Sequence, residues 1–168
     1  MLIDLNKTYS HLDKIRSGEI KEGLKLGFPK IDDYLRFKPG NFNVVLGHAN
    51  VGKTTVILYM MLLYTKKHNL KWLIFSSENE PHSLIRKLVE FIEQKPLNKI
   101  SDKQYKAHLS YIDDNFKIID TNQLYTYRKL IELAQSVKNA WNYDGLLIDP
   151  YNSLIKDPEI MKGIGGHE

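Results

Sequence analysis

The sequence predicts an α/β fold with a mainly parallel sheet, on three observations. Strand and helix signals alternate along most of the chain, the pattern of βαβ units. At one strand-to-helix junction, residues 47–54 read Gly-His-Ala-Asn-Val-Gly-Lys-Thr and fit the phosphate-loop pattern G-x-x-x-x-G-K-[ST] at every position. Much further along, Leu146, Leu147 and Ile148 run into Asp149, an apolar strand ending in an acid.

In chain order, residues 1–17 predict an amphipathic helix, because Leu2, Leu5, Tyr9 and Leu12 recur at three- and four-residue steps. Such a helix can pack on its own domain or on a neighbouring subunit, and the first is the simpler expectation. Residues 18–40 form a charged, glycine-containing connector and lead-in, and residues 41–168 the α/β core. Within that core, residues 42–46 (Phe-Asn-Val-Val-Leu) predict a short buried strand, and the apolar run at 55–64 a buried helix. Residues 71–77 predict the second strand. An amphipathic helix over 81–93 follows, with Leu84, Ile85, Leu88, Val89 and Ile92 on one face, closed by Lys95-Pro96. Ser101 and Gln104 form a capping box that opens a polar helix reaching about Asp113. Residues 116–120 predict a third strand, 124–141 a long amphipathic helix, and 145–149 a fourth strand. After Asp149 no further strand signal appears, so the sheet is expected to be incomplete at its C-terminal side, with an open edge.

Composition narrows the class. A chain of 168 residues is one domain by length, and 42% hydrophobic with 26% charged residues describes an ordinary globular protein. The absence of cysteine removes disulfide frameworks and thiolate metal sites. The longest apolar run is too short to span a bilayer, so no membrane role is expected. The formal net charge of +4 comes from lysines spread along the chain, with no basic tail dedicated to nucleic acid.

The loop's chemistry assigns roles. Gly47 and Gly52 permit close backbone approach. Amide groups from about Asn50 through Val51, Gly52, Lys53, Thr54 and Thr55 can then turn toward phosphate oxygens at a helix N-terminus. Lys53 is expected to reach the β- and γ-phosphates, and the Thr54 hydroxyl to ligate Mg²⁺. Asp149, at the carboxyl end of its strand, is the second Mg²⁺ candidate, since ligands of parallel sheets gather at that rim. Glu78, just past the strand at 71–77, reaches the same rim and is the candidate to orient the attacking water. Glu80 is its rival, although beside Pro81 a carboxylate also serves to cap the helix.

These residues carry a resemblance. Gly27-Phe28, Ile31-Asp32, Leu35 and Pro39-Gly40 ahead of the loop resemble the lead-in of RecA-fold ATPases. Phe75-Ser76-Ser77-Glu78-Asn79, with Leu84 and Arg86 after it, resembles the second motif of DnaB-like replicative helicases. Asp149-Pro150-Tyr151-Asn152-Ser153-Leu154 is similar to the Walker B segment of phage primase-helicases and their Twinkle-like relatives. The resemblance implies a three-layer RecA-like core, ATP with Mg²⁺ bound between subunits of a homo-oligomeric ring (commonly a hexamer), and movement along single-stranded DNA. A role in replication is the first reading, and with no cysteine and no secretory signal the expected setting is cytoplasmic, the host cytoplasm if the chain is phage-encoded. In that family the arginine finger and much of the DNA-contacting loop follow the acidic strand, which adds to the expectation of a partial core with little activity of its own. His167-Glu168 is assigned no role. Two other readings stay open: a RecA-fold ATPase of repair or recombination, and a nucleotide-gated assembly module that does not translocate. A phosphoryl-transfer kinase is disfavoured, because the chain has only four arginines and no arginine-rich lid segment.

Overall fold

Five consecutive buried residues, Trp72–Ser76, form β1, the central strand of a three-stranded parallel sheet. It is flanked by β2 (Phe116–Ile118) on one side and β3 (Gly145–Asp149) on the other, giving the order β2-β1-β3. A run buried from end to end is what a central parallel strand requires, because both its faces are covered. The structure, a computed structural model, describes residues 4–20 and 23–155. Leu2 of the N-terminal stripe, part of the connector, and His167 and Glu168 lie outside the described residues.

The chain divides into two units, residues 1–44 and 45–168. In the first, Asp4 opens α1 (Leu5–Arg16) by accepting the Asn6 N–H at 3.0 Å, and Lys14 and Arg16 sit favourably in the last turn. Leu5, Tyr9 and Leu12 are each more than half exposed and α1 buries no residue. Beyond it lies the short α2 (Pro29–Asp32), whose Asp32 is buried and accepts the N–H groups of Leu26 at 2.5 Å and Gly27 at 3.0 Å. Those two bonds meet the requirement that a buried carboxylate be paired. An antiparallel bridge, Leu24 to Phe37, closes the segment.

In the second unit, α3 (Lys53–His68) starts at Gly52 and ends at Asn69, both in the left-handed region. It buries Leu58, Met61, Leu62, Tyr64 and Thr65. The helix is tied to β1 by polar contacts as well: Trp72 Nε1 donates to Thr65 Oγ1 at 2.9 Å and to the Met61 carbonyl at 3.1 Å. Across the sheet, Trp72 is in register with Gly145, where any Cβ would overlap the indole ring. Glycine is needed there for space. Alternate residues of β1, Leu73 and Phe75, join Tyr125, Leu130 and Ala134 in one core cluster, with Leu146 and Ile148 of β3 packed against it.

The helix α4 (Pro81–Glu93) matches its expected bounds and puts Leu84, Leu88 and Val89 out of reach of solvent, each contributing about 1.5–3 kcal/mol of burial. Proline opens it without loss, since its missing N–H would have had no helical partner. The polar helix is α5 (Asp102–Asn115), capped by Ser101, which accepts the Gln104 N–H. Between these helices Glu93 accepts from Gln104 Nε2 at 3.1 Å and lies 2.6 Å from His108 Nε2. The hydrogen bond from His108 holds the Glu93 carboxyl below its ordinary value. A carboxyl depressed in the folded state contributes stability above its unfolded pKa and loses it as pH falls through the folded one. Glu93→Gln should therefore flatten part of the acid limb of thermal stability below about pH 4.5. Superimposable melting-temperature profiles for the two forms would show that the pair contributes nothing.

Two expectations need correction. The long amphipathic helix, α6 (Tyr127–Ala140), begins three residues later than its apolar pattern suggests, because Thr126 takes the N-cap and accepts the Lys129 N–H at 3.3 Å. Thr126→Ala should lower stability by about 1 kcal/mol, read as a shift of the denaturant midpoint. The expected strand at 42–46 does not form: Phe42, Val44, Val45 and Leu46 are 84%, 63%, 54% and 87% exposed and join no sheet. A strand needs a neighbour to satisfy its backbone groups, and among the described residues none pairs with this one. Among the described residues the outer edge of β3 also has no neighbour, and that strand is only half-buried along its length. The arrangement is α/β with a small parallel sheet, compatible with a RecA-like core.

Candidate functional site

Parallel pairing brings the carboxyl ends of β1 and β3 together, with Ser76 in register with Asp149 and the Ser77 N–H donating to the Asp149 carbonyl at 3.1 Å. The start of α3 meets them there. Thr54 Oγ1 donates to Asp149 Oδ2 at 2.7 Å, joining residues 95 apart in sequence. This bond sets the hydroxyl expected to ligate Mg²⁺ against the carboxylate expected to do the same.

The loop before α3 has the backbone its sequence calls for. Gly52 sits at φ +87°, where a side chain would be strained, and Asn50 takes φ +60°, a region asparagine tolerates better than most residues. A Cβ at Gly47 would lie 3.3 Å from both the Lys53 and Val51 side chains, so the loop closes tightly over its own first residue. Lys53 Nζ folds back and donates to the carbonyls of Gly47 at 2.9 Å and His48 at 2.7 Å. The ammonium is thus stationed over the loop. Val51 is exposed, while Thr54 and Thr55 in the first helical turn are half-buried.

The donor set fits a hard divalent cation: one hydroxyl and one carboxylate converge, and Mg²⁺ is commonly held by one or two carboxylates plus substrate phosphates and water. Among the described residues no cluster of three or more His, Cys, Asp or Glu side chains could hold a metal without such help. Two surface concavities lie elsewhere. One runs along α1, and the other is lined by Thr65, Asn69, His108 and Tyr111. Neither brings a phosphate-binding backbone together with an acid, so the loop geometry carries more weight here than cavity size.

Glu78 and Glu80 follow β1 on the same rim, both exposed. Glu80 takes the N-cap position of α4, but its carboxylate makes no capping hydrogen bond. Asn79, between them, is half-buried and donates through Nδ2 to Ser76 Oγ at 3.1 Å and to Asp149 Oδ2 at 3.5 Å. Neither Asn79 nor Ser76 stands out on the sequence as a site residue. The available signal is a hydroxyl closing an otherwise apolar buried strand, with an amide three residues on. The Asp149-Pro150 peptide is cis and leads into a 3₁₀ turn, Tyr151–Ser153.

The fold and this rim define an α/β domain with a phosphate-loop sequence bonded to an acidic strand end. No protein-family model matches the chain. The chain is 27% identical over 143 residues to the Twinkle homolog protein, chloroplastic/mitochondrial, of Arabidopsis thaliana, a match covering 79% of this chain and 20% of that protein. The chain thus spans about a fifth of the length of the curated relative it matches. This distant likeness supports the Twinkle-like resemblance drawn from the sequence. No helix among the described residues is long and apolar enough to cross a membrane.

Proposed function

We propose that this chain is the ATP-binding and hydrolysing core of a DnaB-like DNA helicase with a three-layer RecA-like architecture. The observation that carries the reading is the 2.7 Å bond between Thr54 and Asp149, which assembles the two expected Mg²⁺ ligands from opposite ends of the core. The distant similarity to the Twinkle homolog directs the choice among phosphate-loop functions toward a helicase.

On this reading the Gly47–Thr55 backbone and the Lys53 ammonium hold the β- and γ-phosphates. Thr54 and Asp149 hold Mg²⁺, which when bound neutralises charge developing on the transferred phosphoryl group. The Thr54 hydroxyl donates its hydrogen to Asp149 and keeps its lone pairs free, so it can ligate the cation without giving up that bond. Lys53 must leave the Gly47 and His48 carbonyls, exchanging neutral acceptors for charged phosphate oxygens. Glu78 then orients and deprotonates water from the end of β1. ATP sits between subunits of a homo-oligomeric ring that moves along single-stranded DNA.

A second reading, an ATP-gated assembly module without turnover, draws on the exposure of Glu78, whose carboxylate has no hydrogen-bond partner among the described residues. Steady-state ATP hydrolysis with and without single-stranded DNA, combined with sedimentation, separates the two. A helicase core should hydrolyse ATP faster in the presence of DNA once assembled. Nucleotide-dependent assembly with no DNA-stimulated turnover would favour the module.

A further inference from the structure

Asn79 is anchored on one strand and reaches for another. Its contact with Ser76 Oγ, 3.1 Å, is an ordinary hydrogen bond to a hydroxyl that is itself 2% exposed and so fixed in place. Its contact with Asp149 Oδ2, 3.5 Å, lies at the outer limit of a hydrogen bond. The same Oδ2 takes the Thr54 hydroxyl at 2.7 Å. Amide orientation is set by charge here: turned the other way, Asn79 would put its oxygen against a carboxylate. A carboxylate accepts several hydrogen bonds. Donating its hydrogen leaves the Thr54 oxygen free for a cation, so neither the Thr54 nor the Asn79 contact with Oδ2 need break when the other carboxylate oxygen ligates it.

We propose that Asn79 is a positioning residue for Asp149: held by Ser76, it fixes the carboxylate on the side where Thr54 stands and ties the loop carrying Glu78 to the metal-binding pair. The proposal rests on the reading of Thr54 and Asp149 as Mg²⁺ ligands. Lys53 is bonded to loop carbonyls, Glu78 and Glu80 are exposed in the same loop, and Tyr151 is exposed beyond β3. None of them is hydrogen-bonded to Asp149 among the described residues.

Asn79→Leu keeps the bulk of the side chain and removes the Nδ2 donor from both Ser76 and Asp149, whereas Ser76→Ala removes the anchor and leaves the amide. In the nucleotide-free protein the backbone amide NMR shifts of Asp149 and Thr54 should move in both variants. Shifts of Asp149 and Thr54 that stay at their wild-type positions in both would overturn the proposal. Asn79→Ala should raise the Mg²⁺ concentration needed for half-maximal ATP binding by about 10-fold or more, the usual cost of losing a group that orients a metal ligand. It should leave metal-free nucleotide affinity within about twofold, because it touches no phosphate contact. An unchanged Mg²⁺ requirement would also overturn it. If wild type bound no Mg·ATP, the metal reading would fall, while the amide-shift comparison on the nucleotide-free protein would still decide whether Asn79 holds Asp149.

Discussion

Glu78→Gln should lower ATP turnover of the assembled protein by about 10²-fold or more, the range for a positioned general base, and leave Mg·ATP affinity near that of wild type. The substitution keeps the size and polarity of the side chain and removes only its capacity to take a proton. Glu78 is exposed and stands apart from the Thr54–Asp149–Asn79 network, so the change should leave that network and the fold undisturbed. Asp149→Asn gives the contrasting phenotype. It removes the charge proposed to ligate Mg²⁺ and turns a donor toward Thr54, so it should weaken Mg²⁺-dependent binding as well as turnover. Single-turnover hydrolysis and equilibrium binding on both variants separate chemistry from affinity. If Glu80→Gln abolishes turnover and Glu78→Gln does not, the water-orienting carboxylate is Glu80.

Lys53→Ala should weaken Mg·ATP binding by at least ~2 kcal/mol, the scale for losing a charge-assisted hydrogen bond. Its Nζ already sits on the Gly47 and His48 carbonyls at 2.9 and 2.7 Å, so part of any effect could come from loosening the loop. Lys53→Met, which retains most of the stem against Gly47, distinguishes the two. Equal losses in both variants assign the effect to the charge, whereas recovery in Lys53→Met assigns it to packing. Isothermal titration of all three proteins is the measurement, and equal affinities throughout would remove the phosphate-loop assignment.

The parts of the fold legible in the sequence are those where local chemistry and tertiary burial agree. Residues 81–93 announce both ends of α4, with Pro81 at the start and Lys95-Pro96 past the end, and the buried positions fall on one face. Residues 145–149 are strand-like in composition and end in an acid, and β3 has those bounds. An apolar pattern says how hydrophobic a segment is but not what covers it. Residues 42–46 have the composition of a buried strand, yet burial depends on a neighbour the local sequence does not specify. At α6 the apolar Leu124 and Tyr125 extend the helical pattern backwards, whereas Thr126 caps it and Leu124 is 78% exposed.

The site shows the same division. The loop stands out in the sequence because its glycines, lysine and threonine follow the phosphate-loop pattern at fixed spacing, and its backbone takes positive φ at Asn50 and Gly52. Asp149 is legible through its strand-end position. Asn79 and Ser76 are not, because an amide and a hydroxyl three residues apart acquire their meaning only when β3 is placed beside β1.

The central claim is that Mg·ATP occupies the loop at Gly47–Thr55 with Asp149 beside it. Backbone amide NMR shifts recorded as Mg·ATP is added to the chain test it most directly. The account predicts that the largest changes fall on residues 47–55, on Ser76 to Asn79 and on Asp149, and that they depend on Mg²⁺. Changes concentrated instead around Thr65, His108 and Tyr111, or none at saturating nucleotide, would contradict it.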